Sequence, residues 1–94
     1  MNLSELQVFL TVANERSFSR AAARLHRTQP AVSQAVRRLE ESLNERLFDR
    51  SSKGGQLTEA GTVLLDYAKR LERLTHEAKG AMQELQDLRG FEKL

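Results

Sequence analysis

Ninety-four residues with no Cys, no Trp and a formal charge of +2 fit one small domain whose core must come mostly from Leu, Ala and Val. The composition excludes a disulfide framework and a thiolate metal site, and two histidines fifty residues apart, His26 and His76, make no metal site either. Glu5, Glu15 and Arg16 interrupt any apolar run too early for a secretory signal, and nothing approaches transmembrane length; a cytoplasmic protein with no membrane partner, metal or cofactor is expected.

The charge is unevenly placed. Residues 1–53 hold nine basic and six acidic side chains, whereas residues 54–94 hold six basic and seven acidic. Within the first half, residues 16–38 carry six arginines and no carboxylate: Arg16, Arg20, Arg24, Arg27, Arg37 and Arg38. A basic first half and a balanced second half suggest two separate tasks.

In chain order, Leu3–Glu15 places Leu3, Leu6, Phe9, Leu10 and Ala13 at the spacing of an amphipathic helix and contains neither Gly nor Pro. Ser17 or Ser19 can cap a second helix running through Ala21, Ala22 and Ala23 to Leu25. Three alanines keep its surface slim where two helices must cross closely. Thr28 is the expected N-cap of a third helix, with Pro30 in a first turn where its missing N–H costs little. At 100° per residue, Val32, Ala35, Val36, Leu39 and Leu43 fall between about 140° and 240° from Pro30, while Ser33, Gln34, Arg37 and Arg38 lie within roughly 80° of it. One face packs and the other is polar and basic. The helix is expected to end near Asn44, which tolerates the left-handed conformation of a C-terminal cap.

Two short extended pieces, 46–50 and 56–58, follow. Ser51, Ser52, Lys53, Gly54 and Gly55 join them, as in a hairpin with a basic tip, or wing. Thr58 and Glu59 open the longest helix, continuing to about Leu88. Along it Leu64, Tyr67, Leu71, Leu74, Ala78, Ala81, Leu85 and Leu88 alternate by three and four, a heptad seam. A helix of about thirty residues spans roughly 45 Å, more than so small a domain can cover. Much of it must project, so the seam needs a second chain, although its direction is not readable from the seam.

The pattern of a short helix, a tight turn and a second helix with an Arg-rich face predicts a surface that neutralises phosphates and meets base edges. Double-stranded DNA is the expected partner. Gln29, Pro30, Ala31, Ser33, Gln34 and Arg37 are the candidate base contacts: Gln34 can pair bidentately with adenine, and Pro30 or Ala31 can pack on a thymine methyl. Arg20, Thr28, Arg38, Arg50, Ser51, Ser52 and Lys53 are the candidate backbone contacts. A sequence-neutral architectural binder would present only Lys and Arg, which Gln29, Ser33 and Gln34 argue against. A pure dimerisation module would leave the arginine cluster unexplained. An enzyme fits least, because no nucleophile-base pair, carboxylate cleft or Gly-rich phosphate loop is present.

The chain resembles the DNA-binding region of LysR-type transcriptional regulators. The resemblance rests on Leu6-Gln7-Val8-Phe9, Ser17-Phe18-Ser19-Arg20-Ala21-Ala22, Leu25-His26 and Thr28-Gln29-Pro30-Ala31-Val32-Ser33. Leu39-Glu40, Leu47-Phe48 with Arg50, and Leu57-Thr58-Glu59-Ala60-Gly61 extend it over essentially the whole chain. It implies a mainly α fold, a winged helix-turn-helix of three helices plus a two-stranded wing over residues 1–58. A linker and dimerisation helix would follow over 59–89, and 90–94 would begin a hinge to an effector-binding domain that is absent here. It also implies a homodimer whose long helices pair antiparallel, on an interrupted palindromic promoter site, with a tetramer open to the full-length protein and a small-molecule effector bound only by the missing domain. Arg16, Arg27 and Asn44 depart from the family, which usually has Gly, an apolar residue and Gly there. Arg27 leaves open whether its stem packs inward or its head reaches a phosphate.

Overall fold

The computed structural model describes residues 1–51 and 55–92, with side chains as far as residue 90. Its regular structure is four helices: α1 (Leu3–Glu15), α2 (Phe18–Leu25), α3 (Gln29–Leu43) and α4 (Glu59–Glu92). Each begins at a polar side chain that accepts from a backbone N–H of the first turn. Asn2 takes Glu5 at 2.8 Å, Ser17 takes Arg20 at 3.0 Å, Thr28 takes Ala31 at 3.2 Å and Thr58 takes Gly61 at 3.0 Å. Each such cap is worth about 1 kcal/mol. Of the two serines offered by the sequence, Ser17 is the cap of α2.

The first three helices end in the left-handed region at non-glycine residues, Arg16 (φ 54°), His26 (φ 55°) and Asn44 (φ 54°). After α2 the His26 and Arg27 N–H groups return to Ala23 and Ala22, and after α3 those of Asn44 and Glu45 return to Glu41 and Glu40. This closure satisfies the last carbonyls and turns the chain sharply, so α2 and α3 are separated by only His26, Arg27 and Thr28. Asn44 fits the sequence expectation.

α1 is the central element. It buries Leu6, Val8, Phe9, Leu10, Val12 and Ala13 and packs on each of the other three helices. Two of the three successive alanines, Ala21 and Ala22, are buried where α2 meets it; Ala23 faces out. α3 buries Val32, Ala35, Val36 and Leu39, with Leu43 half-buried, the face that the 100° spacing predicts. Phe48 closes the core, its ring 5.4 Å from that of Phe9 and edge-on to Phe18 at 5.2 Å.

Of the expected hairpin, the described residues contain one antiparallel bridge, Phe48 with Leu57. The Asp49 N–H donates to the Gln56 carbonyl at 2.7 Å and the Thr58 N–H to the Leu47 carbonyl at 3.0 Å. Ser52, Lys53 and Gly54, which the sequence places at the tip, lie outside the described residues. Two glycines let backbones meet. A Cβ on Gly55 (φ 78°) would stand 2.5 Å from the Arg16 carbonyl carbon, and one on Gly61 would stand 2.1 Å from the Leu47 carbonyl oxygen. Gly61 thereby lets the first turn of α4 lie directly on the bridge.

Only the start of α4 belongs to the core: Ala68 is buried and Leu64 and Leu65 are half-buried. Leu64, expected in the seam, therefore packs partly on its own chain, because the first turns of α4 lie against α1. From Lys69 to Gly90 every residue is exposed, and the helix continues to Glu92, past the expected end at residue 89. Its 34 residues reach roughly 50 Å at 1.5 Å each, which draws the molecule out to 60 × 25 × 19 Å. No helix among the described residues is long and apolar enough to cross a membrane.

Candidate nucleic-acid interface

The outward side of α3 follows from its inward side. With Val32, Ala35, Val36 and Leu39 fixed in the core, 3.6-residue periodicity turns Gln29, Pro30, Ala31, Gln34, Arg37 and Arg38 to solvent, with Ser33 half-exposed between them. All six candidate base contacts thus share one surface. The Gln29 Nε2 donates to the Ser33 Oγ at 3.0 Å, so two of them brace each other along the helix. Pro30 has no N–H, and those of Ala31 and Val32 are taken by the Thr28 hydroxyl and carbonyl, so the positive end of the α3 dipole rather than free N–H groups favours an anion there.

The arginines divide into two groups. Glu15 lies 3.1 Å from Arg24 and 3.9 Å from Arg20, and Glu5 lies 3.4 Å from Arg38. Arg16, Arg27 and Arg37 make no ion pair among the described residues. The carboxylates that reach the basic stretch stand just outside it in sequence and come back through the packing of α1 on α2 and α3. The arginine ends of these pairs stay open to water while the carboxylates are largely covered, so Arg20 and Arg38 remain accessible to an approaching phosphate. The Arg27 side chain is exposed.

Arg50 is different. Its Nη2 lies 2.8 Å from the Oε1 of Glu40, whose side chain is only 6% exposed, and its guanidinium lies over the Phe18 ring at 5.7 Å. The carboxylate end of this pair is buried and the guanidinium end partly open, so loss of Arg50 would leave Glu40 without its charged partner. Arg50, expected from the sequence to contact the DNA backbone, is paired within the protein, with about a third of its side chain (35%) still exposed. Glu40 was missed from the sequence because it reads as the start of an acidic end to the polar face; helical rotation instead sets it beside Leu39 and Val36, on the buried side. Next to it, Asp49 accepts from the Ser51 hydroxyl and backbone N–H, which hold its carboxyl below the usual carboxylate range.

The second surface lies on α4. Leu71, Leu74, Leu85 and Leu88 stand open, Leu74 and Leu88 by 62% and 66%, together with Tyr67, Ala78 and Ala81. Met82 and Val63, outside the expected seam, are exposed as well. An apolar groove between α1 and α4, floored by Leu3, Leu6, Leu10, Ala68 and Leu71, continues this stripe onto the globular part. Leu3 gave no sign of that in the sequence, where it reads as the first core residue of α1.

Residues 3–62, from α1 to the first turn of α4, match the family described as bacterial regulatory helix-turn-helix protein, lysR family. The chain belongs to the LysR family. A probable RuBisCO transcriptional regulator of Synechocystis sp. is 44% identical over 88 residues, covering 94% of this chain and 26% of that protein. An uncharacterized HTH-type transcriptional regulator of Azotobacter vinelandii is 45% identical over 85 residues, covering 90% of this chain and 59% of its own length. The chain thus spans about a quarter of the first of these relatives. Among solved structures, the BenM DNA-binding domain with benA site 1 DNA superposes with a TM-score of 0.86 at 30% identity, covering 90% of this chain and 96% of that one. The CbnR DNA-binding domain with DNA gives 0.80 at 32% identity, covering 89% and 97%.

The four-helix architecture is therefore that of a LysR-type DNA-binding domain. Within the LysR frame, Gly61 has a physical reason, the contact with the Leu47 carbonyl, and Arg16 is a left-handed residue with a side chain where that conformation favours Gly.

Proposed function

We propose that this chain binds double-stranded DNA sequence-specifically as a homodimer, on an interrupted palindromic promoter site, as the reading part of a cytoplasmic bacterial transcription regulator. The observation that carries the reading is that a polar and basic α3 face and an apolar α4 stripe are both open on one molecule.

α3 enters the major groove. Gln29, Pro30, Ala31, Ser33, Gln34 and Arg37 meet base edges, Gln34 pairing with adenine and Arg37 reaching a guanine or a phosphate. Thr28, Arg20 and Arg38 anchor the backbone, joined by Ser51, Ser52 and Lys53 of a two-stranded wing built on the Phe48–Leu57 bridge. Residues 1–58 are the reading domain and the helix from residue 59 is the linker. Two copies pair through Tyr67, Leu71, Leu74, Ala78, Ala81, Leu85 and Leu88, with Leu64 at the margin where it leaves its own core. In the whole regulator an effector-binding domain would follow, and dimers could associate into tetramers. The complexes of BenM and CbnR DNA-binding domains with DNA support this direction.

The test is geometric. Antiparallel α4 helices would hold two recognition helices at a fixed separation, and each enters the groove only when the half-sites face the same side of the duplex, about one helical turn apart. Inserting five base pairs should remove most specific affinity in a gel shift. Inserting ten restores the side but adds about 34 Å, which a rigid pair cannot span, so affinity should fall again. Full binding at either spacing would mean that the two reading heads are flexibly joined.

A further inference from the structure

Glu40 is the only charged side chain buried among the described residues. It stands on the inner side of α3, three residues beyond Arg37, and reaches out of the helix to the segment that follows it. Oε2 accepts from the Leu47 N–H at 2.8 Å and the Phe48 N–H at 3.5 Å, while Oε1 accepts from Arg50 at 2.8 Å. Arg50 in turn lies over Phe18, the first residue of α2, and Phe18 meets Phe48 edge-on. The first limb of the bridge is thus held at three points by one carboxylate of the recognition helix. Its other side is fixed by the Leu47 carbonyl, which accepts from the Thr58 N–H.

A buried carboxylate with this many donors is a rigid joint. Charge-assisted hydrogen bonds are short and strongly oriented, and a pair whose carboxylate is buried is screened by salt less than surface pairs are. The consequence is a fixed angle between α3 and the segment 47–51. A protein that places a helix in the major groove and a neighbouring loop on the phosphates depends on that angle, because phosphate contacts set the register in which the bases are met.

We propose that Glu40 and Arg50 are positioning residues for DNA binding: their ion pair fixes the segment 47–51 relative to the recognition helix, and neither touches DNA. This rests on the reading above, in which the wing meets the backbone. The opposite assignment, with Arg50 a phosphate ligand that Glu40 merely neutralises, predicts the opposite sign for one variant. Removing the Glu40 charge would then free a cation and strengthen binding.

The experiment uses a duplex selected from a random library by the wild-type chain, and a scrambled control. A wild-type preference for the selected duplex tests the functional reading by itself, before any variant is made. E40Q, R50Q and the double variant are then titrated by fluorescence anisotropy over a range of salt, with circular dichroism giving the folded fraction at the same temperature. Per folded molecule, E40Q and R50Q should each weaken both duplexes by roughly tenfold, the scale of one lost charge-assisted interaction. The double variant should be no weaker than either, because both act through one joint. The preference for the selected duplex should survive, since the α3 face is intact, while the salt slope becomes shallower as wing phosphates are lost. R50K, which keeps a cation for Glu40 and is the milder change for folding, should recover most of the affinity. Tighter or unchanged binding by E40Q, additive losses in the double variant, or losses wholly explained by the unfolded fraction would each overturn the proposal.

Discussion

The head and the rod of this molecule are built on opposite rules. Up to Ala68 most of the large apolar side chains are inside: Phe9, Val12, Val32, Val36, Leu39 and Phe48 are almost wholly covered, while Leu3, Val63 and Tyr67 stay open. From Lys69 onward the same residue types are outside, with Leu74 and Leu88 more than half exposed and Leu85 exposed as well. The head covers most of its apolar surface within its own chain, whereas the rod leaves most of its own open. An isolated helix of this composition gains little from propensity alone, since most helix stability in proteins comes from packing an apolar face. The two regions should therefore fail independently, one on mutation of its interior and the other on mutation of its surface.

The largest effect is expected on the rod. Replacing Leu71 and Leu74 together by Ala removes two side chains from the inter-chain seam, each worth about 2–5 kcal/mol once buried. Sedimentation should show a monomer at micromolar concentration, with specific DNA affinity lost far beyond one half-site's contacts. An unchanged sedimentation coefficient would leave the apolar stripe without its assigned purpose. Phe48→Ala, in the head, should cost about 3–5 kcal/mol, because the ring is shared by Phe9 and Phe18 and by the bridge. At about 4–8 °C per kcal/mol for a domain of this size, the melting temperature should fall by more than about 12 °C. A smaller fall would mean that the aromatic cluster is less tightly packed than its centroid distances suggest.

The smallest effect runs in the stabilising direction. Arg16 holds a left-handed conformation that costs a side-chain-bearing residue about 1–2 kcal/mol, against about 0.5–1 kcal/mol for the greater freedom of Gly in the unfolded chain. Arg16→Gly should thus raise head stability by about 0.5–1 kcal/mol, seen as a higher urea midpoint with an unchanged slope. It should also weaken binding to random DNA by removing a cation that has no ion-pair partner among the described residues. A fall in stability would show that the Arg16 side chain contributes more than its backbone conformation costs.

Legibility in the sequence followed the range of the interaction. Helix limits set by local chemistry were readable, as with Thr28, Pro30, Asn44 and Thr58, because a cap acts within four residues. The packing face of α3 was readable for the same reason. Ion pairing was not: Glu5 and Glu15 neutralise Arg38, Arg20 and Arg24 across helix packing, and spacing along the chain gives no sign of it. Glu40 shows the limit most clearly. Its charge suggested the solvated face, while its angular position put it beside Leu39, and the donors that make its burial tolerable come from Leu47, Phe48 and Arg50, seven to ten residues on. The seam was legible as a period, but Leu64 belongs partly to the head because the first turns of α4 lie on α1.

The direct measurement is a comparison of Gln34→Ala with the wild-type chain on two duplexes, one selected by the wild type and one scrambled, at a single fixed salt concentration. Gln34 is exposed on α3 between the braced Gln29–Ser33 pair and Arg37 and carries no charge that would let it act by general attraction. Loss of a bidentate base contact should cost about 1–3 kcal/mol on the selected duplex and almost nothing on the scrambled one. Equal losses on both duplexes, or none on either, would contradict the assignment of the α3 face as the surface that reads sequence.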